Sequence, residues 1–186
     1  MDILEAIHAR RTVGKFKPEA VPRDVLERIF GAGIWAPNHR LTEPWRFFVL
    51  GDGMKRFFGE RYGILLTRNT DDEEKVKQVR TNVLTGFLSR PAAAVISCKQ
   101  EGPDQKKRED YAATCCAIQN VLLAAWSEGV GVNWNTGPLI NDPPCYEALG
   151  LHPEASFIAG IFTLGYPEVV PDQKRTPLGQ VMRYVP

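Results

Sequence analysis

The stretch Gly129–Pro138, GVGVNWNTGP, decides the fold. Its glycines stand at 129, 131 and 137, and it follows a long helix-patterned segment. A dinucleotide-binding βαβ unit needs the reverse. There the glycines follow a strand and open a helix, so that the pyrophosphate meets the helix N-terminus. That fold is therefore excluded, and the chain also lacks a Walker A loop and a G-x-S-x-G elbow. The segment before the glycines, about 105–128, carries Tyr111, Cys115, Ile118, Leu122 and Ala125 on one face. Its second half is apolar nearly all round, which predicts a central buried helix ended by Gly129.

Working outward, residues 131–135 and 156–164 read as strands, with a short helix near 143–149 between them. Upstream, AAAVISC (92–98) and WRFFVL (45–50) are apolar runs of strand length. Asp2 can cap a first helix, with Glu5 as its capping-box partner and Ile3 and Ile7 as its apolar stripe. A second helix opens at Pro22, runs through Val25, Leu26, Ile29, Phe30 and Ile34, and stops before Pro37. Residues 54–68 form a helical region. Segment 71–88 opens on acids suited to a helix N-terminus and carries Val76, Val79, Val83 and Phe87. The tail from Tyr166 holds Pro167, Pro171 and Pro177, and its QVMRYV end can make a further strand. The order predicts one α+β domain over residues 1–186. It comprises a mixed, largely antiparallel central sheet with helices on both faces.

Composition narrows the function. Lys and Arg number 23 against 22 Asp and Glu, for a net charge of +1. Global attraction to nucleic acid or anionic membrane is not expected. No apolar run has the length of a membrane span, and no signal peptide is visible, so the cytoplasm is the expected compartment. Cys98, Cys115, Cys116 and Cys145 form no C-x-x-C and read as small buried hydrophobes in a reducing compartment. With His8, His39 and His152 scattered, no metal site is expected.

Three stretches can carry chemistry. In HARRT (8–12), Arg10 lies seven positions from Ile3, roughly −20° around a helical wheel, which places it on the buried stripe. A buried guanidinium needs an acceptor. Either an internal carboxylate or a bound phosphate would serve, with Arg11 alongside and Thr12 adding a hydroxyl donor. In WAPNHRLTEPW (35–45), Trp35, Asn38 and His39 flank a loop at a sheet edge, as a planar heteroaromatic ligand would require, or as a polar surface connection would. In GVGVNWNTGP, Trp134, Asn135 and Thr136 offer a stacking face and polar groups.

Together these pieces resemble the nitroreductase family of FMN-dependent oxidoreductases. The resemblance rests on the helix ending RRT, the AP-N-H…PW-RFFVL and GVGVNWNTG segments, and the FTLGYP…KRTPL close. It covers nearly the whole chain, and the short length is similar to the compact bacterial branch of NAD(P)H nitroreductases. It implies an intertwined homodimer in which residues 167–186 wrap the partner. It also implies FMN at the dimer interface, NADH or NADPH as electron donor and a small electron acceptor such as a nitroaromatic or quinone. Carried over, Arg10, Arg11, Thr12 and Arg175 would hold the FMN phosphate and ribityl chain. Trp35, Asn38 and His39 would reach the partner's flavin, and Trp134, Asn135 and Thr136 would contact FMN again. No side chain is expected to act as acid or base, since the flavin carries the chemistry. Two departures bear on the site: Gly14 stands where many members have a basic residue, and Trp35 is bulky. They leave a second reading, a flavin- or small-molecule-binding module without turnover.

Overall fold

The run Ala92–Lys99, buried from Ala92 to Cys98, becomes the interior strand on which both layers pack. In a computed structural model, which describes residues 1–185, this strand (β2) is flanked by β1 (Trp45–Val49) and β4 (Ser156–Gly165), with β3 (Gly131–Asn135) at the far edge beyond β4. The order is β1-β2-β4-β3, and all three pairings are antiparallel. The parallel component is one bridge, Thr12 to Val132.

Strand alternation sorts the core into two layers. Ala92, Ala94 and Ile96 pack with α2 (Arg23–Gly33) and α5 (Asp104–Ser127), against Ile29, Phe30, Ile118 and Val121. Ala93 and Val95 face the other way. They meet Phe58 of α3 (Asp52–Thr67), Phe87 of α4 (Glu73–Leu88) and Tyr146 of α6 (Pro143–Ala148). The α5 helix is buried through Ala113, Thr114, Ala117, Ile118, Val121, Leu122 and Ala125, as its composition requires. Asp110, also buried there, is neutralised by Lys106 at 2.8 Å and accepts the Thr42 hydroxyl at 2.6 Å. On the other layer Arg61 grips Asp142 through two 2.8 Å bonds, tying α3 to the start of α6.

A β-bulge shifts the register between β2 and β4: Ile96 pairs with Gly160, yet Ser97 pairs with Ile158. Ala159 is the extra residue, and from there on the strand swaps faces. Ile158 and Ile161 share one layer, Ala159 and Phe162 the other. The bulged Ala159 carbonyl accepts the Trp134 indole N–H at 2.9 Å. The indole lies nearly parallel to Phe162, with centroids 5.7 Å apart, and covers Gly160 so closely that a Cβ there would overlap the ring.

Several expectations from sequence are corrected. The first helix, α1 (Ile3–Ala9), is capped by Asp2, whose carboxylate accepts the Leu4 N–H at 2.8 Å. Its buried residue is Ala6, however; Ile3 and Ile7 are exposed. Among the described residues no element covers their side of the helix. Arg10 falls after the last helical residue with extended ψ of 133°, so a helical wheel drawn through it does not apply. Tyr111 and Ile34 are exposed, and Val76, Val79 and Val83 are only half-buried. Of the cysteines, Cys98 and Cys145 are buried, Cys115 is half-buried and Cys116 is exposed, and all four are free. The expected last strand is absent among the described residues. A single turn, Leu178–Gln180, gives way to an exposed stretch; Pro186, the end of the expected extension, lies outside the described residues. Among the described residues no helix is long and apolar enough to cross a membrane.

Replacing Gly160 by Ala drives a methyl into the Trp134 ring and should cost about 1–3 kcal/mol in chemical denaturation. Combining it with Trp134→Ala should cost less than the two single changes added together, because the clash and the ring disappear in one step. Strict additivity would show that the indole does not sit over Gly160.

Candidate functional site

After α1 the chain runs extended along the free side of β3. The Val13 N–H donates to the Val132 carbonyl at 3.1 Å. A Cβ at Gly131 would come within 2.5 Å of the Val13 side chain, so glycine is what admits this segment. Val13 is fully buried, and its neighbours Thr12 and Gly14 are exposed. Two-residue alternation thus turns Thr12 and Gly14 to the same open side. The tail returns alongside: Lys17 N–H donates to Tyr166 O at 2.9 Å, and Glu168 N–H to Lys15 O at 3.1 Å. That return carries Arg175 back towards Arg10.

The two early arginines have different tasks. Arg11 folds onto the end of α1, donating to the carbonyls of His8 at 2.6 Å and Arg10 at 2.9 Å. A cation there meets the negative end of the helix. Arg10 is half-buried and has no carboxylate partner among the described residues. Burial pushes its guanidinium below its ordinary value, and the nearby positive charges of Arg175 and Arg11 push in the same direction. Of the two acceptors open to Arg10 from sequence, an internal carboxylate is not found among the described residues. Like charges gathered without a counter-ion are a binding arrangement for an anion from outside the chain.

Beyond Gly14 lies a cavity of about 370 Å³. Gly14 and Phe16 form one wall, Asn133 and Thr163 the floor on the sheet, and Gly86, Phe87 and Arg90 the opposite wall at the end of α4. Its size is within the range of small-molecule sites, roughly 300–1,000 Å³. Arg90 escaped the sequence reading. Its guanidinium carbon sits 3.5 Å above the centroid of the Phe87 ring. Burial pushes it down to about 10, with Tyr62 pulling weakly the other way. The residue is held by its backbone: the Arg90 carbonyl accepts from Lys55 Nζ at 3.3 Å. The available signal was small, an arginine between a helix end and Pro91 at the head of a buried strand.

The remaining expected residues divide. Thr12 borders the arginines with its side chain exposed. Trp134 is committed to Ala159, Gly160 and Phe162, so its indole N–H is not free for a ligand. Asn135 accepts the Gly137 N–H at 2.6 Å and lines a small recess beside the cavity with Tyr62 and Arg90; Thr136 is exposed at the turn. Asn38 closes its own loop, accepting the Glu43 N–H at 3.0 Å. That loop holds Arg40, Leu41 and Glu43 at φ of 61°, 50° and 42°, a left-handed conformation side chains rarely adopt. Trp35 and His39 are not among the cavity-lining residues. Trp35 is 84% exposed and faces a surface groove shared with Ile3 and Leu123. One chain therefore brings Arg175 near Arg10, turns Thr12 to the same open side as the cavity-lining Gly14 and sets Asn135 in the neighbouring recess, while Trp35 and His39 line neither.

Arg10→Ala separates the two accounts of that side chain. Breaking a buried ion pair would cost about 3–5 kcal/mol. With no partner to lose, the variant should unfold within about 0.5 kcal/mol of the parent in a phosphate-free buffer. Inorganic phosphate should raise the parent's thermal midpoint more than the variant's.

Comparison with known proteins agrees with this geometry. The sequence matches the Nitroreductase family over residues 7–166. A Bacillus subtilis relative named "Putative NAD(P)H nitroreductase YfhC" is 34% identical over 180 residues, covering 94% of this chain and 89% of the relative. The crystal structure of a nitroreductase-like family protein from Bacillus cereus superposes with a TM-score of 0.84 at 34% identity, covering 100% of this chain and 96% of that one. A Bacteroides fragilis nitroreductase with bound FMN shares the fold, with a TM-score of 0.76 at 24% identity and full coverage of both chains. With the antiparallel sheet, its two helical layers and the match over residues 7–166 in agreement, the chain belongs to the nitroreductase family.

Proposed function

We propose that the protein is an FMN-dependent NAD(P)H oxidoreductase that works as a homodimer on a small electron acceptor, a nitroaromatic, quinone or related compound. The observation that carries the reading is Arg10, with no carboxylate partner among the described residues and Arg175 near it, on the segment that leads to the cavity lined by Gly14 and Arg90. The FMN of the Bacteroides fragilis relative and the NAD(P)H in the name of the Bacillus subtilis one support it.

The residues present suit the group. A phosphate dianion meets two guanidiniums that lack any other counter-ion among the described residues, and Thr12 offers a hydroxyl next to them. The cavity beyond has the Phe16 ring for an aromatic plane, and the Asn133 and Thr163 side chains for its polar edge. Bound FMN would supply hydride and electron transfer between the nicotinamide donor and the acceptor. The protein's part is to anchor the phosphate, to turn the ring edge towards fixed donors, and to leave the opposite side open to the two substrates in turn. No side chain of the cleft is needed as an acid or base.

The surface supports a dimer. Ile3, Leu4 and Ile7 on α1, Trp35 and Leu41 around the loop, and Val181, Met182 and Tyr184 in the tail are all exposed in one chain. So much apolar surface in several patches calls for cover. A second copy would bury it and could bring Trp35 and His39 to the partner's cleft. Four free cysteines, one exposed, support a reducing compartment such as the cytoplasm. The reading as a module without turnover keeps one motive, Gly14. Its other motive weakens, since Trp35 does not line this chain's cavity.

Four measurements test these statements. FMN should raise the thermal midpoint, and the yellow complex should bleach with NADH or NADPH in stopped flow and recolour with a quinone. An unmoved midpoint refutes FMN binding, and no bleaching by either donor over minutes selects the module without turnover. Arg10→Ala should lose about 1.5–3 kcal/mol of FMN affinity, the scale of a charge-assisted bond. Deleting residues 177–186 removes the apolar tail while keeping Arg175, and should shift the protein towards monomer in sedimentation at low concentration. An unchanged dimer would refute the embracing tail.

A further inference from the structure

Two residues that line the cavity, Gly14 and Gly86, carry no side chain, and a Cβ built on either would meet nothing within 4 Å. Gly86 lies in the last turn of α4, with its backbone outside the left-handed region. Alanine holds a helix better than glycine does, so neither conformation nor helix stability asks for glycine there. Close packing does not ask for it either. The glycines that let α3 and α4 approach are others: a Cβ at Gly59 would come within 2.9 Å of Phe87, and one at Gly63 within 3.1 Å of Arg80.

The helix itself gives the direction of the missing side chain. Positions three before and three after a helical residue lie about 60° to either side of it. For Gly86 these are Val83 and Ser89, the latter a C-cap that keeps helical φ and ψ, and both line the cavity. Gly86 therefore stands midway along the arc of α4 that faces the cavity, and a side chain there would enter it. Around this bare position the wall is apolar and aromatic. It is made by the half-buried Val83 and by the Tyr62 ring, which meets Phe87 edge-on with centroids 6.0 Å apart.

We propose that Gly86 sets the size of the electron acceptor: the second ring of a fused, planar acceptor such as a naphthoquinone lies against it, where any larger residue would leave room for a single ring. The inference rests on the FMN reading above. A cofactor held by its phosphate near Arg10 and Arg175 comes in on the side of Gly14 and Phe16, and Gly86 belongs to the opposite wall. The space before Gly86 is then the second substrate's. A neutral ring placed there buries apolar surface against Val83, Tyr62 and the uncovered turn of helix.

The test isolates the acceptor from the nicotinamide donor. FMN binding to each protein is titrated by fluorescence quenching. The FMN-loaded protein is then reduced with dithionite under nitrogen and mixed in stopped flow with a benzoquinone or a naphthoquinone. In Gly86→Leu the ratio of reoxidation rate constants, naphthoquinone over benzoquinone, should fall about tenfold, the lower end of what a methylene-sized change in an apolar pocket does. Gly86→Ala should raise the thermal midpoint, because its methyl enters open space and favours the helix, and should lower the same ratio by a smaller factor. It carries the test alone if Gly86→Leu does not fold. An unchanged ratio in a folded variant overturns this inference, as does a parent reoxidised by neither quinone. A variant that loses FMN affinity gives the space before Gly86 to the cofactor and overturns it too. All three outcomes leave FMN binding standing. A parent that binds no FMN overturns the functional reading and this inference with it.

Discussion

The cleft is organised by an electrostatic debt: Arg10 and Arg175 are held close together, Arg10 half-buried, with no carboxylate among the described residues to neutralise it. Arg10 loses solvation by its partial burial and is repelled by the exposed Arg175 beside it, so its conformation is costly while nothing else is bound. The rest of this edge keeps them there. Arg11 pins the end of α1, Gly131 lets Val13 lie against β3, and the paired segments at residues 15–17 and 166–168 return the tail beside Arg10. Each is a backbone or packing device, and together they keep Arg175 near Arg10.

The bulge at Ala159 sets the other boundary. Without the extra residue, β4 would keep its phase, and Ile161 would fall in the α2–α5 layer instead of under the cavity side. Trp134 seals the defect by satisfying the bulged carbonyl, which is why a tryptophan in a glycine-rich, ligand-like segment acts as structure. The polar residues on either side of it in β3, Asn133 and Asn135, are then the ones turned towards the cavity and its neighbouring recess. Strand alternation makes this a necessity once the indole is committed to the opposite layer.

The parts legible in the sequence are those whose partners lie in the same chain at regular spacing. The stripe of α2, the all-round burial of α5, the runs of β1 and β2 and the glycine order after α5 each carry their own period. Arg10 was singled out by a wheel that does not apply to it, since the helix ends at Ala9; the identity of the residue was informative where its angle was not. The Ile3–Ile7 face misled because exposed apolar residues read the same whether they meet their own core or another surface. Trp134 was read as a ligand platform because a bulge in β4, over twenty residues later, leaves no mark near the tryptophan. Arg90 was invisible because its significance comes from absence: no acid nearby, and two glycines across empty space.

The placement of Trp35 and His39 follows from the same economy. Their loop is strained at three residues, anchored to α5 by the Thr42–Asp110 bond and closed internally by Asn38. A surface loop of no consequence has no reason to maintain left-handed Arg40, Leu41 and Glu43, which cost on the order of 1 kcal/mol or more each. Strain of this kind persists where surrounding contacts over-determine it, and within one chain the loop's outer side chains contact little. Trp35 instead borders the same uncovered groove as Ile3, and that groove is continuous with the exposed face of α1. A second copy laid on this face would supply the missing contacts to the loop and the missing cover to the helix at once. The completed cleft would then be a property of the pair, with its anion anchor from one subunit and its outer wall from the other.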